Sequence, residues 1–431
     1  MDICNSSLLV DVDLRHALVA VSKALDYVGI DDISHGHRVA YIAYECAKQL
    51  GWNEEKSETA FFAGLIHDCG VSQNQEHVRL LSQLQPQGAE NHCVMGFEAL
   101  SCCEPLEYFA LPIRYHHTPW QELRLLDLPL ADKELAAIIF LADRVDFLRA
   151  SYKSDCHEDI VTLYEELIAD SIMKHSGSLF HPEMALAMSQ LVLKDGFWFA
   201  MESDYIKDIG CNFTANDWYI QKLSIEQLTD IAHFLANIVD AKSAFTFNHS
   251  LRVAQISVYL AGHVSLGEDT KELIYIAGLL HDVGKLKTPD EILHKTGALT
   301  KEEYSRIKRH TTDTQFTLKK FFPNSPIAHW ACNHHEKLDG SGYPNRISAI
   351  NLDTPSRIVA IADIFQALSQ DRPYRGRLSK KEVVEQLAPL ANSGKIDRAI
   401  FGVVMTNLDE VYAIATGEPV AMAHIVNFES F

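Results

Sequence analysis

One pattern occurs twice in this 431-residue chain. The first half carries His35-Gly-His-Arg38-Val39-Ala40, then Ala63-Gly64-Leu65-Ile66-His67-Asp68-Cys-Gly70, a lone His92, the doublet His116-His117, and Ala142-Asp143. The second half carries His249-Ser-Leu-Arg252-Val253-Ala254, then Ala277-Gly278-Leu279-Leu280-His281-Asp282-Val-Gly284, a lone His310, the doublet His334-His335, and Ala362-Asp363. The first histidine stands 32 residues before the His-Asp pair in both halves, and the lone histidine 24 residues before the doublet. Five elements in one order, with two spacings shared, mean two copies of one folding unit.

The periodicity between these elements is helical. Leu14, Leu18, Val21, Leu25 and Val28 share one face. Similar spacing runs through residues 38–50, 57–67, 133–149, 182–195 and 224–240. Ser224 with Gln227, Thr300 with Glu303, and Ser379 with Glu382 have capping-box spacing. Ser325-Pro326 and Thr354-Pro355 read as N-caps followed by proline at the first helical position. Alternating strand patterns are few, so the expected class is all-α. Residues 196–223 contain Phe197, Trp198, Phe199, Tyr205, Phe213, Trp218 and Tyr219. That composition predicts a packed connection rather than a Gly/Ser/Pro spacer. The expected division is a first domain over 1–200, a connection over 201–223 and a second domain over 224–431.

Each copy gathers residue types that bind metals. Adjacent helical side chains point about 100° apart, so His334 and His335 suit two neighbouring ions better than one. With His249, His281, Asp282, His310 and Asp363 they form a seven-donor set. Seven donors exceed the needs of one ion and point to two divalent metals with Asp282 as the bridging ligand. Imidazole and carboxylate suit iron, manganese, nickel or zinc. Two ions about 3.5–4 Å apart can activate water and stabilise an in-line phosphoryl displacement. The first copy keeps His35, His67, Asp68, His92, His116, His117 and Asp143, with His37 an alternative to His35.

Composition narrows the partners. A net charge of −20 argues against binding DNA or RNA polymers. The apolar run at 135–142 is too short for a bilayer, and no secretory signal is evident, so a cytoplasmic protein without a membrane partner is expected. Nine cysteines without Cys-x-x-Cys pairs read as reduced thiols.

Downstream of the doublet the copies part. His334-His335-Glu336 continues into Asp339-Gly340-Ser-Gly342-Tyr343-Pro344, and Ala362-Asp363-Ile-Phe365 into Asp371-Arg372-Pro373-Tyr374-Arg375. With His281-Asp282-Val-Gly284-Lys285, these motifs resemble the HD-GYP domain, a subgroup of the HD metal-dependent phosphohydrolases, over roughly residues 224–415. The resemblance implies an all-α domain that linearises cyclic dinucleotides at a binuclear metal centre. Asp282 and Lys285 are then the catalytic residues, with Lys285 beside the scissile phosphate. Arg372 and Arg375 contact the substrate phosphates, and Gly342, Tyr343 and Pro344 line the pocket. Guanidinium forks match phosphate oxygens, which suits an anionic ligand on an acidic protein. A hydroxide between the ions is expected to attack phosphorus and expel the 3′ oxygen, leaving a 5′ phosphate. Some members place a third-metal glutamate one turn before the first ligand histidine. Phe245 stands there, so two metals are expected.

The first copy resembles an HD domain without these additions. Val71 replaces the lysine, and Thr118-Pro119-Trp120 follows the doublet. It reads as a catalytically silent partner that retains a metal set and packs on the catalytic domain; a homodimer is compatible with this layout. The two-domain layout resembles bacterial phosphodiesterases that convert 3′,3′-cyclic GMP-AMP to linear 5′-pApG. Cyclic di-GMP is the rival substrate, and a di-iron oxygenase or a non-catalytic nucleotide-binding scaffold are remoter readings.

Overall fold

The computed structural model describes residues 8–25, 34–71, 84–85, 88–152, 158–214, 219–242, 248–295, 297–371 and 376–418. The described chain is mostly helical. Its one sheet pairs strand β1 (Leu9–Asp13) with β2 (Ile220–Ser224). It divides into two compact units, Asp13–Gln221 and Met1–Val12 with Lys222–Phe431. No single described helix is long and apolar enough to cross a membrane.

Each unit starts its copy of the repeat with a helical hairpin. In the first unit the helices are His35–Gln49 and Glu54–Ile66. In the second they are His249–His263 and Glu268–Leu280. The first ligand histidine opens one helix, and the His-Asp pair follows the other. The residue before each opening histidine, Ser34 or Asn248, has a positive φ of 93° or 68°. Small residues hold the hairpins together. A Cβ on Gly64 would lie 2.7 Å from Ala40 Cα, and one on Gly278 would lie 2.7 Å from Ala254 Cα. The hairpin backbones thus touch, which brings the start of one helix to the end of the next.

The remaining candidate ligands arrive on later helices. In the first unit these are Glu90–Ser101, Ala110–Tyr115 and Leu130–Ser151. In the second they are Lys301–Phe321, Ile327–Cys332 and Thr354–Ser369. The glycine after each His-Asp pair seats the lone-histidine helix. A Cβ on Gly70 would fall 2.0 Å from His92 O, and one on Gly284 would fall 2.0 Å from His310 O. Any larger residue would push that helix and its ligand away.

The capping boxes at Thr300/Glu303 and Ser379/Glu382 form as read. Ser224 and Gln227 also exchange hydrogen bonds, at 3.1 and 3.3 Å. Two caps differ from expectation. Asp353, not Thr354, caps its helix by accepting from Ser356 N at 3.1 Å. Pro326 is itself an N-cap residue, with Ser325 Oγ accepting from Ile327 N at 3.3 Å. Part of the aromatic stretch is packed. Phe197, Trp198, Phe213 and Tyr219 are buried, whereas Phe199 and Tyr205 are exposed. Phe213 meets Tyr44, Phe61 and Phe62, and the Tyr219 hydroxyl donates to Glu58. Trp218 lies outside the described residues.

Candidate metal centre

All seven residues of the second set converge, six of them buried and His335 half-buried. Asp282 organises them by facing two groups with different oxygens. Its Oδ2 lies 3.6 Å from His249 Nε2 and 3.2 Å from His281 Nε2. Its Oδ1 lies 3.5 Å from His310 Nε2 and 3.8 Å from His334 Nε2. Asp363 completes the first group, with Oδ1 3.4 Å from His249 Nε2 and 3.8 Å from His281 Nε2. Its Oδ2 is 3.8 Å from His335 Nδ1. Three histidines, His310, His334 and His335, form one metal-competent group, and His249, His281 and Asp363 another. Asp282 Oδ1 is buried and accepts no hydrogen bond. An acceptor left that way is costly and suits a cation.

The histidines are held with their lone pairs inward. Nδ1–H donates to the Gly278 carbonyl from His281 (2.7 Å), to Ile307 from His310 (2.6 Å) and to Ala331 from His334 (2.6 Å). His249 Nδ1 donates to the Gln366 side chain. Donation through Nδ1 fixes the tautomer whose Nε2 can bind metal. Burial and neighbouring imidazoles push His334 well below its usual pKa. Burial lowers His310 to about 3 and His335 to about 4. These three are neutral at physiological pH, the form in which an imidazole can bind a metal. Burial opposes the charge on His249, yet the hydrogen bonds it donates to the Asp282 and Asp363 carboxylates raise its pKa to about 9. Burial likewise opposes ionisation of Asp282, but His281 and Lys285 hold it well below the carboxylate range. The donor types, lone-pair directions and spacing all fit divalent ions, which must displace the His249 proton.

The motif after the doublet forms a braced loop. Glu336 is buried and accepts from Asn345 N at 2.6 Å and Ile347 N at 3.0 Å. Asp339 Oδ1 accepts from Ser341 N at 2.9 Å. A Cβ on Gly342 would meet Glu336 Cα and Lys337 N at 2.5 Å, so the loop backbone passes directly over the segment behind the doublet. This close pass places the Tyr343 ring 4.8 Å from that of His335. Lys285 Nζ rests on Asp282 Oδ2. Arg372, Arg375 and Phe245 lie outside the described residues.

The first set converges in the same way. Asp68 Oδ2 lies 3.8 Å from His35 Nε2 and 3.2 Å from His67 Nε2, and its Oδ1 3.6 Å from His92 Nε2 and 3.9 Å from His116 Nε2. Asp143 reaches His35 at 3.6 Å and His117 at 3.7 Å. His35, not His37, joins the cluster.

Sequence reasoning missed the residues that brace these ligands. Asp146 and Gln366 stand one helical turn after Asp143 and Asp363, and each takes the outer nitrogen of the first ligand histidine. That i, i+3 spacing was the available signal. Glu336 stood within a quoted motif without a role. Arg144 went unnoticed; it is fully buried, with Nη2 2.6 Å from Asp143 Oδ2.

Comparisons with known proteins place both copies in one domain family. HD-domain profiles match residues 33–148 and 233–400. A 3′3′-cGAMP-specific phosphodiesterase 1 of Vibrio cholerae is 45% identical over 95% of this chain and 95% of its own. The chain belongs to the HD-domain phosphodiesterase family. A cyclic di-GMP phosphodiesterase of Thermotoga maritima is 34% identical over 41% of this HD-domain chain and 50% of its own. The crystal structure of a cyclic GMP-AMP-specific phosphodiesterase of V. cholerae has the same fold. Its TM-score is 0.61 at 23% identity, covering 93% of this chain and 98% of that one.

Proposed function

We propose that the second copy hydrolyses 3′,3′-cyclic GMP-AMP to linear 5′-pApG at a two-metal centre. The observation carrying the substrate is the 45% identity, over 95% of both chains, to a relative named for that substrate. The residues that would hold the ions are His249, His281, Asp282, His310, His334, His335 and Asp363, and the two oxygens of Asp282 face different histidine pairs. Bound there, the ions supply an activated water and Lewis-acid stabilisation of the phosphoryl charge.

This chain's own residues do the rest. Asp282 and Asp363 accept the charge of the ions, and the carbonyl-anchored histidines keep Nε2 directed inward. Lys285, whose side chain is 24% exposed, would leave Asp282 Oδ2 once a metal were held there. Lys285 then turns to the scissile phosphate. Arg372 and Arg375 take the ring phosphates, and Gly342, Tyr343 and Pro344 form the adjoining wall. The first copy, which has Val71 and no such loop, is silent toward this substrate.

The test is direct. The full chain, loaded with Mn²⁺ or Fe²⁺, is given cyclic GMP-AMP and cyclic di-GMP in parallel, and the products are resolved. Linear 5′-pApG as the fastest product is expected. Faster opening of cyclic di-GMP would overturn the substrate, and no linear product from either would overturn the reaction.

A further inference from the structure

The two metal sets differ at one buried charge. Arg144 follows the ligand Asp143, and its counterpart after Asp363 is the apolar Ile364. The Arg144 side chain has no solvent exposure and its Nη2 binds Asp143 Oδ2 at 2.6 Å. The second copy also has a cation on a ligand carboxylate, Lys285 on Asp282. That lysine, however, is 24% exposed on a flexible stem and can leave when metal arrives. Arg144 is enclosed by the core on a planar guanidinium that cannot swing out to solvent as the lysine can. The buried ion pair compensates Asp143 before any ion binds.

The other half of the first set is more complete than its counterpart. Single donor atoms from Asp68, His92, His116 and His117 all lie within 4.8 Å of one another. In the second copy His310, His334 and His335 meet that condition without Asp282. The fourth residue also differs in access. His117 has a side chain only 6% exposed, and neither of its ring nitrogens makes a hydrogen bond. His335 is 28% exposed and lies against Tyr343. A buried imidazole with both nitrogens unsatisfied, its donor atom grouped with those of Asp68, His92 and His116, faces into a site that wants a cation.

We propose that the first copy is a one-ion centre: Asp68, His92, His116 and His117 close around a single divalent cation, and Arg144 stands in for the second. Three imidazoles and a carboxylate complete the four-coordinate shell of a zinc-type ion and leave no position for substrate. His35 and His67 remain beside Asp143, but a second dication there would face both Arg144 and the first ion. The inference rests on metal binding by the first copy and is independent of which dinucleotide the second cleaves.

The experiment counts metal in the full chain. His281→Ala with His310→Ala disables the second set, and the protein is equilibrated with Zn²⁺, desalted and measured by elemental analysis. About one ion per chain is expected, as four protein donors dictate. Adding His117→Ala should bring the count close to zero, and adding Arg144→Leu to the parent should raise it to about two, the count of the charge-uncompensated set. Two ions with Arg144 in place, none in the parent, or a count unmoved in a folded Arg144→Leu protein would each overturn the proposal. If Arg144→Leu does not fold, Co²⁺ in the parent decides. The intense visible bands of a tetrahedral ion support the closed site, and the weak bands of a six-coordinate ion overturn it.

Discussion

The two copies of the repeat share a backbone plan and a ligand set, yet surround them differently. Both use a small-residue hairpin, a glycine under the lone-histidine helix and an aspartate whose two oxygens face different groups. Around that frame, Lys285 is exchanged for Val71 and Ile364 for Arg144. Gln366 is exchanged for Asp146, and the braced Glu336–Pro344 loop for Thr118-Pro119-Trp120. The frame that gathers donors is thus separable from the residues proposed to handle substrate. The lone histidine and the doublet recur because the helices that carry them recur. The lysine and the loop do not, because nothing in the frame requires them.

The largest expected effect tests that separation. His281→Ala or Asp282→Ala should lower cyclic-dinucleotide turnover on the order of 10³-fold or more, as when the group generating a nucleophile is removed. His67→Ala or Asp68→Ala should leave it within about 3-fold, the scale of a change outside the reacting centre. Initial rates at saturating metal distinguish the cases, and the opposite ranking would move the active site to the first copy.

A smaller loss is expected at the loop that only the second copy has. Glu336→Ala removes the acceptor of two backbone N–H groups, and Gly342→Ala drives a Cβ into backbone at 2.5 Å. Each should cost on the order of 10–100-fold in activity, the scale of a substrate misplaced by about an ångström. Metal content, measured by elemental analysis, should persist. Loss of metal along with activity would show that the loop supports the ligands rather than the substrate.

The residues that recur were legible because repetition supplied a control within one chain. His35 and His249 stood out against His37 by their common distance to a His-Asp pair, and the helical class followed from spacing and capping boxes. The supports were harder to read. Asp146 and Gln366 differ in type, so the repeat did not flag them, although both lie one turn past a ligand aspartate. Arg144 looked like an ordinary helix residue because sequence does not show which face is sealed from water. The cap at Asp353 was displaced by one residue because Asp353 and Thr354 are both good N-caps, and proline is tolerated within the first turn.

The exchanged supports should separate stability from metal affinity. Asp146 holds His35 at 2.8 Å and shares its other oxygen between Arg38 at 2.7 Å and Arg149 at 2.8 Å, all buried. Asp146→Asn removes the shared charge of that cluster and should cost on the order of 3 kcal/mol by urea unfolding. Burial raises the Asp146 carboxyl, but both arginines outweigh it and hold the pKa well below the ordinary value. A depressed folded pKa contributes stability that is present above the unfolded value of about 4 and lost as pH falls through the folded one. The gap between wild type and Asp146→Asn should therefore be flat above about pH 5 and narrow below about pH 4. Gln366→Ala has no such ionic cluster to break. It should lower metal affinity about 10-fold with little change in unfolding. Equal stability costs for the two would erase the distinction.

The smallest difference lies at the helices that lead into the two His-Asp pairs. Asn53 caps the first, accepting from Lys56 N at 2.9 Å, whereas Gly267 holds the same place in the second without a side-chain cap. Both have extended backbone, φ −65° and −63°, so Gly267 needs no glycine conformation. A Cβ there would meet nothing within 4 Å. Asn53→Ala should therefore cost about 1 kcal/mol, and Gly267→Asn should gain a few tenths, since glycine is itself a tolerable cap. Neither change touches a ligand, so thermal midpoints should move in opposite directions while metal content stays constant. A midpoint raised by Asn53→Ala, or lowered by Gly267→Asn, would mean that the connection before each hairpin helix, rather than its cap, sets the local stability.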